Sequence, residues 1–195
     1  MKIDNLVLLS FLALVFLTSC NSVDLESVDL EMENDTSVAL PPQCDSRPET
    51  TTGIPHHQIG VAPVTEVNEE LFRRVYSLPG IENRRSVIAG WRSLWLTDEV
   101  NVVVPEAVIN GSREFGHIHD DGSLHIFLKP SRAVKAVAAC WGVDHPFAKQ
   151  QIPGWDGFVM LYTPRSINEL NVTFQLIVDG YNNVTGQNLL ATDYY

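Results

Sequence analysis

The sequence predicts an α+β domain in which a small antiparallel or mixed sheet is covered by helices in two layers. Two observations favour this class: a β-hairpin pattern over residues 113–128, and helical apolar periodicity on both sides of it. A third excludes a competing class, because no Gly-x-Gly-x-x-Gly motif follows a predicted strand and a dinucleotide-binding fold is therefore not indicated. The 195 residues suit one domain with appendages and exclude a large multidomain enzyme.

Three helices and two further strands are predicted around the hairpin. Apolar residues at every fourth position predict a first helix from a capping Thr65 to about Tyr76. A second helix is predicted from Ser131 to Trp141, and its expected buried stripe consists of Val134, Val137, Ala138 and Trp141. A third opens with a capping box at Ser166 and ends before Gly186. Strands are expected at Phe158–Tyr162 and at Ser93–Leu96, although the longer stretch from Ser86 that contains Trp91 is ambiguous between helix and strand.

The charge balance excludes some classes of partner. Thirteen basic against 24 acidic residues give a net charge of −11, which repels phosphate backbones and anionic lipid headgroups. We therefore expect no nucleic-acid partner. Three cysteines without a Cys-x-x-Cys pair are too few for a disulfide scaffold and indicate no structural zinc site.

The N-terminus predicts export. Lys2 precedes an apolar run that is too short to span a bilayer, so residues 1–19 are interpreted as a signal peptide. The run ends in Leu17-Thr18-Ser19-Cys20, which resembles a bacterial lipobox with Cys20 as the lipidation site. The protein is then a lipoprotein whose only membrane contact is the lipid anchor. A secreted, glycosylated protein is the alternative, since four Asn-x-Ser/Thr sequons occur, at Asn34, Asn110, Asn171 and Asn183.

Between the signal and the domain, residues 20–55 are acidic and lack sustained periodicity, which predicts a disordered tether. The domain is assigned to residues 60–186, and residues 187–195 form a tail. Cys44 lies in the tether and Cys140 in the domain. They form either one disulfide or two independent thiols.

Three of the six histidines fall within nine residues of the predicted hairpin, and its register decides whether they meet. A two-residue turn would put His125 on the opposite face from His117 and His119. A three-residue loop over residues 120–122, with Gly122 in the left-handed region, pairs His117 with His125 and His119 with Ser123. Only the second register collects the apolar residues on one face, so we predict it, with three imidazoles converging on the other face.

Such a cluster has three interpretations: a divalent metal site, a base and acid pair, or a polar sheet surface. The residue pattern alone leaves them open. His145 follows the second helix in a loop and is expected at the same end of the sheet.

Other side chains extend the candidate site. Glu114 alternates onto the core face of the hairpin unless a bulge intervenes, and a buried carboxylate needs a partner. Arg165, where the last strand exits, is a candidate for that partner or for holding an anionic substrate group. Trp141, Trp155 and Tyr162 are candidates for walls of a site for a planar ligand.

Four ordered segments resemble the fungal luciferase-type domain family. They are Arg113-Glu114-Phe115-Gly116-His117-Ile118-His119, Asp121-Gly122-Ser123-Leu124-His125, Trp141-Gly142-Val143-Asp144-His145-Pro146, and the strand from Phe158 that ends in Tyr162-Thr163-Pro164-Arg165. In luminous fungal members, the resemblance implies oxidation of a hydroxylated styryl-pyrone by molecular oxygen without a known organic cofactor.

Two functions from different classes follow. The first is a cofactor-independent oxidative enzyme for a small enolisable or aromatic substrate, in which one of His117, His119, His125 and His145 removes the enol proton and Arg165 stabilises the enolate. The second is a non-catalytic, surface-tethered module that binds a ligand or a divalent metal, with His117, His119 and His125 as the metal ligands. A pocket with apolar walls favours the enzyme, and a flat face favours the binding module.

Overall fold

A computed structural model describes residues 39–43, 47–90 and 92–195, and every structural statement below refers to these residues. They lie within the unit Asp35–Tyr195. The predicted signal peptide, the predicted lipidation site Cys20 and Trp91 fall outside the described residues. Within the described ranges, no helix combines the length and the apolar character that a membrane span requires.

A six-stranded antiparallel sheet forms the centre of the domain. Its strands are β1 (Ile81–Glu82), β2 (Ser93–Leu96), β3 (Glu114–Ile118), β4 (Leu124–Phe127), β5 (Gly142–Asp144) and β6 (Phe158–Leu161). The order across the sheet is β1-β2-β3-β4-β6-β5. The short strand β5 was not predicted, because three residues after a helix are too few to show an alternating pattern.

The described residues form four α-helices beside the sheet: α1 (Thr65–Val75), α2 (Pro130–Ala138), α3 (Pro146–Lys149) and α4 (Ile167–Thr185). Helix α4 lies against β3 and β4, and α1 packs on α4. The approach of α4 to the sheet is close, because a Cβ at Gly180 would lie 2.6 Å from the carbonyl oxygen of Phe127. The predicted α+β class is confirmed.

The hairpin has the predicted register. His117 is opposite His125 and Ile118 is opposite Leu124. The His119 N–H donates to the Ser123 carbonyl at 2.8 Å, and Gly122 in the loop has φ 83°. The side chains of Ile118, Leu124 and Ile126 are buried in the core, so the apolar alternation selected the correct loop length.

Helix α2 differs from its prediction in length and in its buried face. It ends at Ala138 because Cys140 takes φ 67° and the Trp141 N–H bonds back to the Ala136 carbonyl. Val134, expected in the core, is 69% exposed. The helix instead buries Ala133 and Ala136, whose small side chains fit the helical repeat equally well and allow a closer approach.

The helix caps agree in part with the sequence. Ser166 caps α4 as predicted, accepting the Glu169 N–H. Thr65 was predicted to cap α1, but it is the first helical residue, and its predecessor Val64 gives no side-chain cap.

Part of the predicted tether contacts the domain. The Trp141 indole donates to the Pro41 carbonyl at 2.7 Å, and the Gln43 N–H donates to the Ala139 carbonyl. We call residues 47–59 the strap; its two ends pair through a bridge between Thr50 and Gln58. Cys140 is disulfide-bonded, and Cys44, with which the sequence allowed one disulfide, lies outside the described residues.

Candidate functional site

The hairpin brings three imidazoles into contact on the face away from helix α4. His125 is central: its Nδ1 lies 3.2 Å from His117 Nε2 and 3.1 Å from His119 Nε2. The predicted convergence of these three histidines is therefore present. His117 and His125 are almost fully buried, so this face is not an open polar surface.

A bulge in β3 adds a carboxylate to the cluster. Leu94 pairs with Gly116 while Trp95 pairs with Glu114, so the ladder skips Phe115. Phe115 packs against Tyr181 in the core, and Glu114 turns onto the face of His117. The sequence placed Glu114 on the core face unless a bulge intervened, and here a bulge intervenes.

The buried Glu114 carboxylate has three hydrogen-bonding partners. His117 Nδ1 lies 3.0 Å from its Oε1, the Ser86 hydroxyl donates to the same oxygen at 2.6 Å, and the Val87 N–H donates to Oε2 at 2.7 Å. These bonds compensate for the loss of water at a fully buried side chain. Arg165, one candidate partner in the sequence, is not among these partners.

Two further histidines reach the cluster from other parts of the chain. The strap carries His56, whose Nδ1 lies 3.0 Å from His125 Nε2. His145 joins β5 to α3, and its Nδ1 accepts the Phe147 N–H at 3.2 Å as the cap of α3. The rings of His145 and His125 meet edge to face with centroids 4.8 Å apart.

The five imidazoles contain two sets of three that could hold a metal ion. One set is His117, His119 and His125; the other is His56, His125 and His145. Within each set the candidate ligand atoms lie within 4.8 Å of one another. His125 belongs to both sets, so its two nitrogens connect them.

Burial lowers the pKa of four of the five imidazoles. Desolvation, followed by the nearby His117, lowers the pKa of His119 to about 4 against an opposing contribution from Asp121. Desolvation and the neighbouring His56 lower the pKa of His145 to about 4. The pKa of His125 is lowered well below its usual value for the same first reason, and burial also lowers the pKa of His56.

A cavity of about 450 Å³ opens onto this cluster, and we call it the histidine pocket. Imidazoles from both sets line it together with apolar side chains: Ile54 and Pro55 from the strap, and Ile88, Phe147 and Trp155 from the domain. Trp155 stacks on His145 with ring centroids 5.6 Å apart. The described residues that line the pocket include no Lys, Arg, Asp or Glu. The site is therefore a neutral, largely apolar chamber with imidazole nitrogens on one wall.

The structure brings only part of the predicted site together. His117, His119, His125, His145 and Trp155 line the histidine pocket, and Glu114 stands behind His117. Arg165 and Tyr162 line a different cavity, and the Arg165 side chain is half exposed beside Glu169. Trp141 is buried with its indole N–H on Pro41, outside the histidine pocket.

Sequence reasoning missed His56, the fifth imidazole of the cluster. His56 is 69 residues away from His125 along the chain, and a local periodicity argument does not reach that far. The signal available was the apolar Ile54-Pro55 followed by two adjacent histidines in a segment with few charged residues.

Residues 112–178 match the family model of the Luciferase domain. The matched segment holds β3 to β6, and with them four of the five clustered histidines; His56 lies outside it. No curated protein and no solved structure matched the chain. The match agrees with the resemblance of the four sequence segments, and the chain therefore contains a luciferase-like domain.

Proposed function

We propose that the histidine pocket oxidises a small, planar, enolisable molecule with molecular oxygen and without an organic cofactor. The supporting observation is the shape of the site: the strap turns a histidine-bearing sheet face into a chamber of about 450 Å³ with apolar walls. Pockets of a few hundred Å³ with apolar linings and a few polar groups are typical of small-molecule sites. A flat histidine face would have favoured the binding module instead.

The walls favour an aromatic or conjugated substrate. Trp155 and Phe147 present rings 4.9 Å apart, nearly perpendicular to each other, against which a flat molecule can pack. Because no permanently charged side chain is among the described lining residues, we expect the substrate to enter neutral. An enol or phenol meets this condition and still has an ionisable O–H.

In the proposed reaction, the histidine cluster takes up the enol proton, and the enolate carbon then forms a bond to oxygen. The electron pair of that carbon reduces oxygen to the peroxide level, and the proton returns to the peroxide, which gives a hydroperoxide. His145 is assigned as a hydrogen-bond donor to the substrate, because its Nδ1 accepts the Phe147 N–H and its neutral ring therefore carries the proton on Nε2.

Oxygen consumption with a panel of 3-hydroxy-pyrones and related enols tests this function. An Ala89→Trp variant fills the pocket from an exposed lining position, and we expect it to abolish oxygen uptake. Ala62→Trp is the matched control, since Ala62 is exposed and does not line the histidine pocket. Absence of oxygen uptake across the panel, with ligand binding retained, would favour the non-catalytic module.

We further propose that the domain acts outside the cytoplasm, anchored through lipid on Cys20. The support is the apolar run that ends in Leu17-Thr18-Ser19-Cys20. Mass spectrometry of the mature N-terminus should find residues 1–19 removed and Cys20 lipidated. A mature chain that begins after Cys20, or carries it unmodified, would favour ordinary secretion.

A further inference from the structure

We propose that His117, His119 and His125 bind one divalent transition-metal ion at the wall of the histidine pocket. All three rings line that pocket, so a position on the ion not taken by protein would face the cavity. The inference goes beyond the proposed oxidation and does not depend on it, because an ion bound without turnover would satisfy it equally.

The spacing of the three nitrogens fits a metal centre. His125 Nδ1 lies 3.2 Å from His117 Nε2 and 3.1 Å from His119 Nε2. Imidazoles at about 2.0–2.1 Å from a tetrahedral ion have nitrogens about 3.3–3.4 Å apart. The two distances to His125 Nδ1 are within a few tenths of an ångström of that value, and the candidate ligand atoms of all three residues lie within 4.8 Å of one another.

The outer nitrogen of each ring is held by a partner that can accept its proton. His117 Nδ1 faces the Glu114 carboxylate, and His119 Nδ1 lies 2.8 Å from the Ser123 hydroxyl oxygen. His125 Nε2 lies 3.0 Å from His56 Nδ1. Such contacts fix the tautomer of a metal-ligating imidazole and direct its lone pair at the ion.

A count of protons on the inner nitrogens points the same way. In the tautomer whose Nδ1–H donates to Glu114, the His117 ring has a bare lone pair on Nε2. His125 Nδ1 contacts both His117 Nε2 and His119 Nε2. If His125 Nδ1 carries a hydrogen, both contacts must share it; if it does not, its lone pair faces the lone pair of His117 Nε2. A cation between the three nitrogens removes this conflict, since each lone pair then has an electron-pair acceptor.

The other set of three is less suited to an ion. Its member His145 accepts the Phe147 N–H at Nδ1, so the neutral ring carries its proton on Nε2. That ring therefore has no free lone pair to offer. If the first set binds the ion through His125 Nδ1, His125 Nε2 carries a proton and donates it to His56, which completes the arrangement.

The ligand set also limits the kind of ion. Three imidazoles without a thiolate suit zinc, iron, nickel or copper rather than calcium or magnesium. The buried Glu114 carboxylate behind His117 supplies negative charge near the ion.

Metal titration of the purified domain tests the site directly. After treatment with a chelator, the wild-type protein is titrated with Co²⁺ and Zn²⁺, and binding is followed by calorimetry and by the visible absorption of Co²⁺. We expect one equivalent to bind. His117→Gln and His119→Gln should each weaken binding at least 100-fold, and Glu114→Gln should weaken it about 10–100-fold.

His145→Gln and His57→Gln are the matched controls, because His145 belongs only to the second set and the exposed His57 to neither. Both should retain one equivalent with nearly unchanged affinity. Loss of binding in His145→Gln with retention in His119→Gln would overturn the assignment, and so would failure of the wild type to bind either ion. If circular dichroism shows that His117→Gln does not fold, two other measurements decide the question. One is metal binding by His119→Gln, whose ring is less buried, and the other is the rise in unfolding temperature of the wild type with added Zn²⁺.

Discussion

Two cavities lie beside the strap and differ in chemistry. The histidine pocket has about 450 Å³ and is lined by imidazoles, apolar side chains and the amide of Asn110. The second, which we call the Arg165 cavity, has about 260 Å³ and is polar and charged. It is lined by Gln43, Arg47, Pro48, Gln58, Val61, Tyr162, Thr163, Arg165 and Glu169.

The two cavities show that sequence motifs of one family resemblance can lie at different sites in the fold. The segment that ends in Tyr162-Thr163-Pro164-Arg165 belongs to the same resemblance as the hairpin histidines, yet it leads away from their pocket. Beyond β6 the chain turns into α4, where Arg165 pairs with Glu169 in the first turn of the helix. Arg165 thus lies at the start of a helix, while the described lining of the histidine pocket includes no Lys or Arg.

The largest effect is expected from His125→Gln, which removes the ring shared by both sets of three. We expect oxygen consumption in the histidine pocket to fall at least 100-fold, the lower end for loss of a catalytic acid or base. Activity per folded molecule, with folding checked by circular dichroism, is the measurement. A decrease of less than threefold would mean that the oxidation does not occur at this cluster.

The hairpin was predictable because local information was sufficient. Only a three-residue loop places the alternating apolar residues of both strands on one face. The same loop length determines that His117 lies opposite His125. The capped helix α4 was predictable for a similar reason, since Ser166 and the apolar stripe both belong to one continuous segment.

The rest of the site depends on contacts that a local pattern does not contain. Glu114 reaches the cluster only through the skipped Phe115, and a bulge leaves no period in the sequence. His56 comes from the strap, of which residues 47–55 were predicted to belong to a disordered tether. Arg165 was predicted to belong to the site because it follows a strand. The direction in which a chain leaves a sheet, however, depends on the next element, which here is helix α4.

Acid should destabilise the folded protein through His145 of the histidine pocket. His145 has a pKa of about 4 in the folded protein and about 6.5 when unfolded, so the unfolded chain binds more protons between these values. The stability from the neutral ring is complete above about pH 6.5 and is lost as the pH falls towards 4. For His145 alone, lowering the pH from 7 to 5 costs about 2 kcal/mol.

Urea unfolding of metal-free protein at pH 7 and at pH 5 measures this loss. The pH 5 limit avoids Glu70, whose pKa is lowered to about 2 by Arg73 and Arg74 and whose own contribution is lost only below about pH 4.5. His145→Gln should show a smaller pH dependence than the wild type. An equal pH dependence of the unfolding free energy in both proteins would contradict the assignment of the loss to His145.

Gln58 connects the two cavities, and its removal should have an intermediate effect. Its side-chain amide donates to the Thr163 hydroxyl at 2.6 Å, and its oxygen accepts the Thr163 N–H at 3.1 Å. Gln58→Ala leaves this buried N–H without its partner, which costs about 1–3 kcal/mol of stability. Because Gln58 is two residues from His56, the strap should loosen over the histidine pocket and the KM for its substrate should rise.

Gln58→Glu is an informative second variant. It keeps an oxygen for the Thr163 N–H but replaces the donor amide with a charge that needs its own partner. We expect it to be at least as destabilising as Gln58→Ala in chemical unfolding. A KM unchanged in both variants would show that the strap holds His56 without this contact.

Arg165→Lys should have the smallest effect and is the sharpest test of the separation between the cavities. If the substrate bound the Arg165 guanidinium, lysine could not reproduce its planar pair of donors, and the sequence alone therefore predicts damage. Because the side chain is half exposed beside Glu169 and does not line the histidine pocket, we expect kcat and KM to change by less than about twofold. Stability should change by less than about 1 kcal/mol, since an exposed ion pair contributes little.

Steady-state oxygen consumption and urea unfolding of Arg165→Lys and Arg165→Ala measure both quantities. A tenfold loss of activity in both variants, with stability unchanged, would bring the Arg165 cavity into the reaction and require the substrate to extend beyond the histidine pocket.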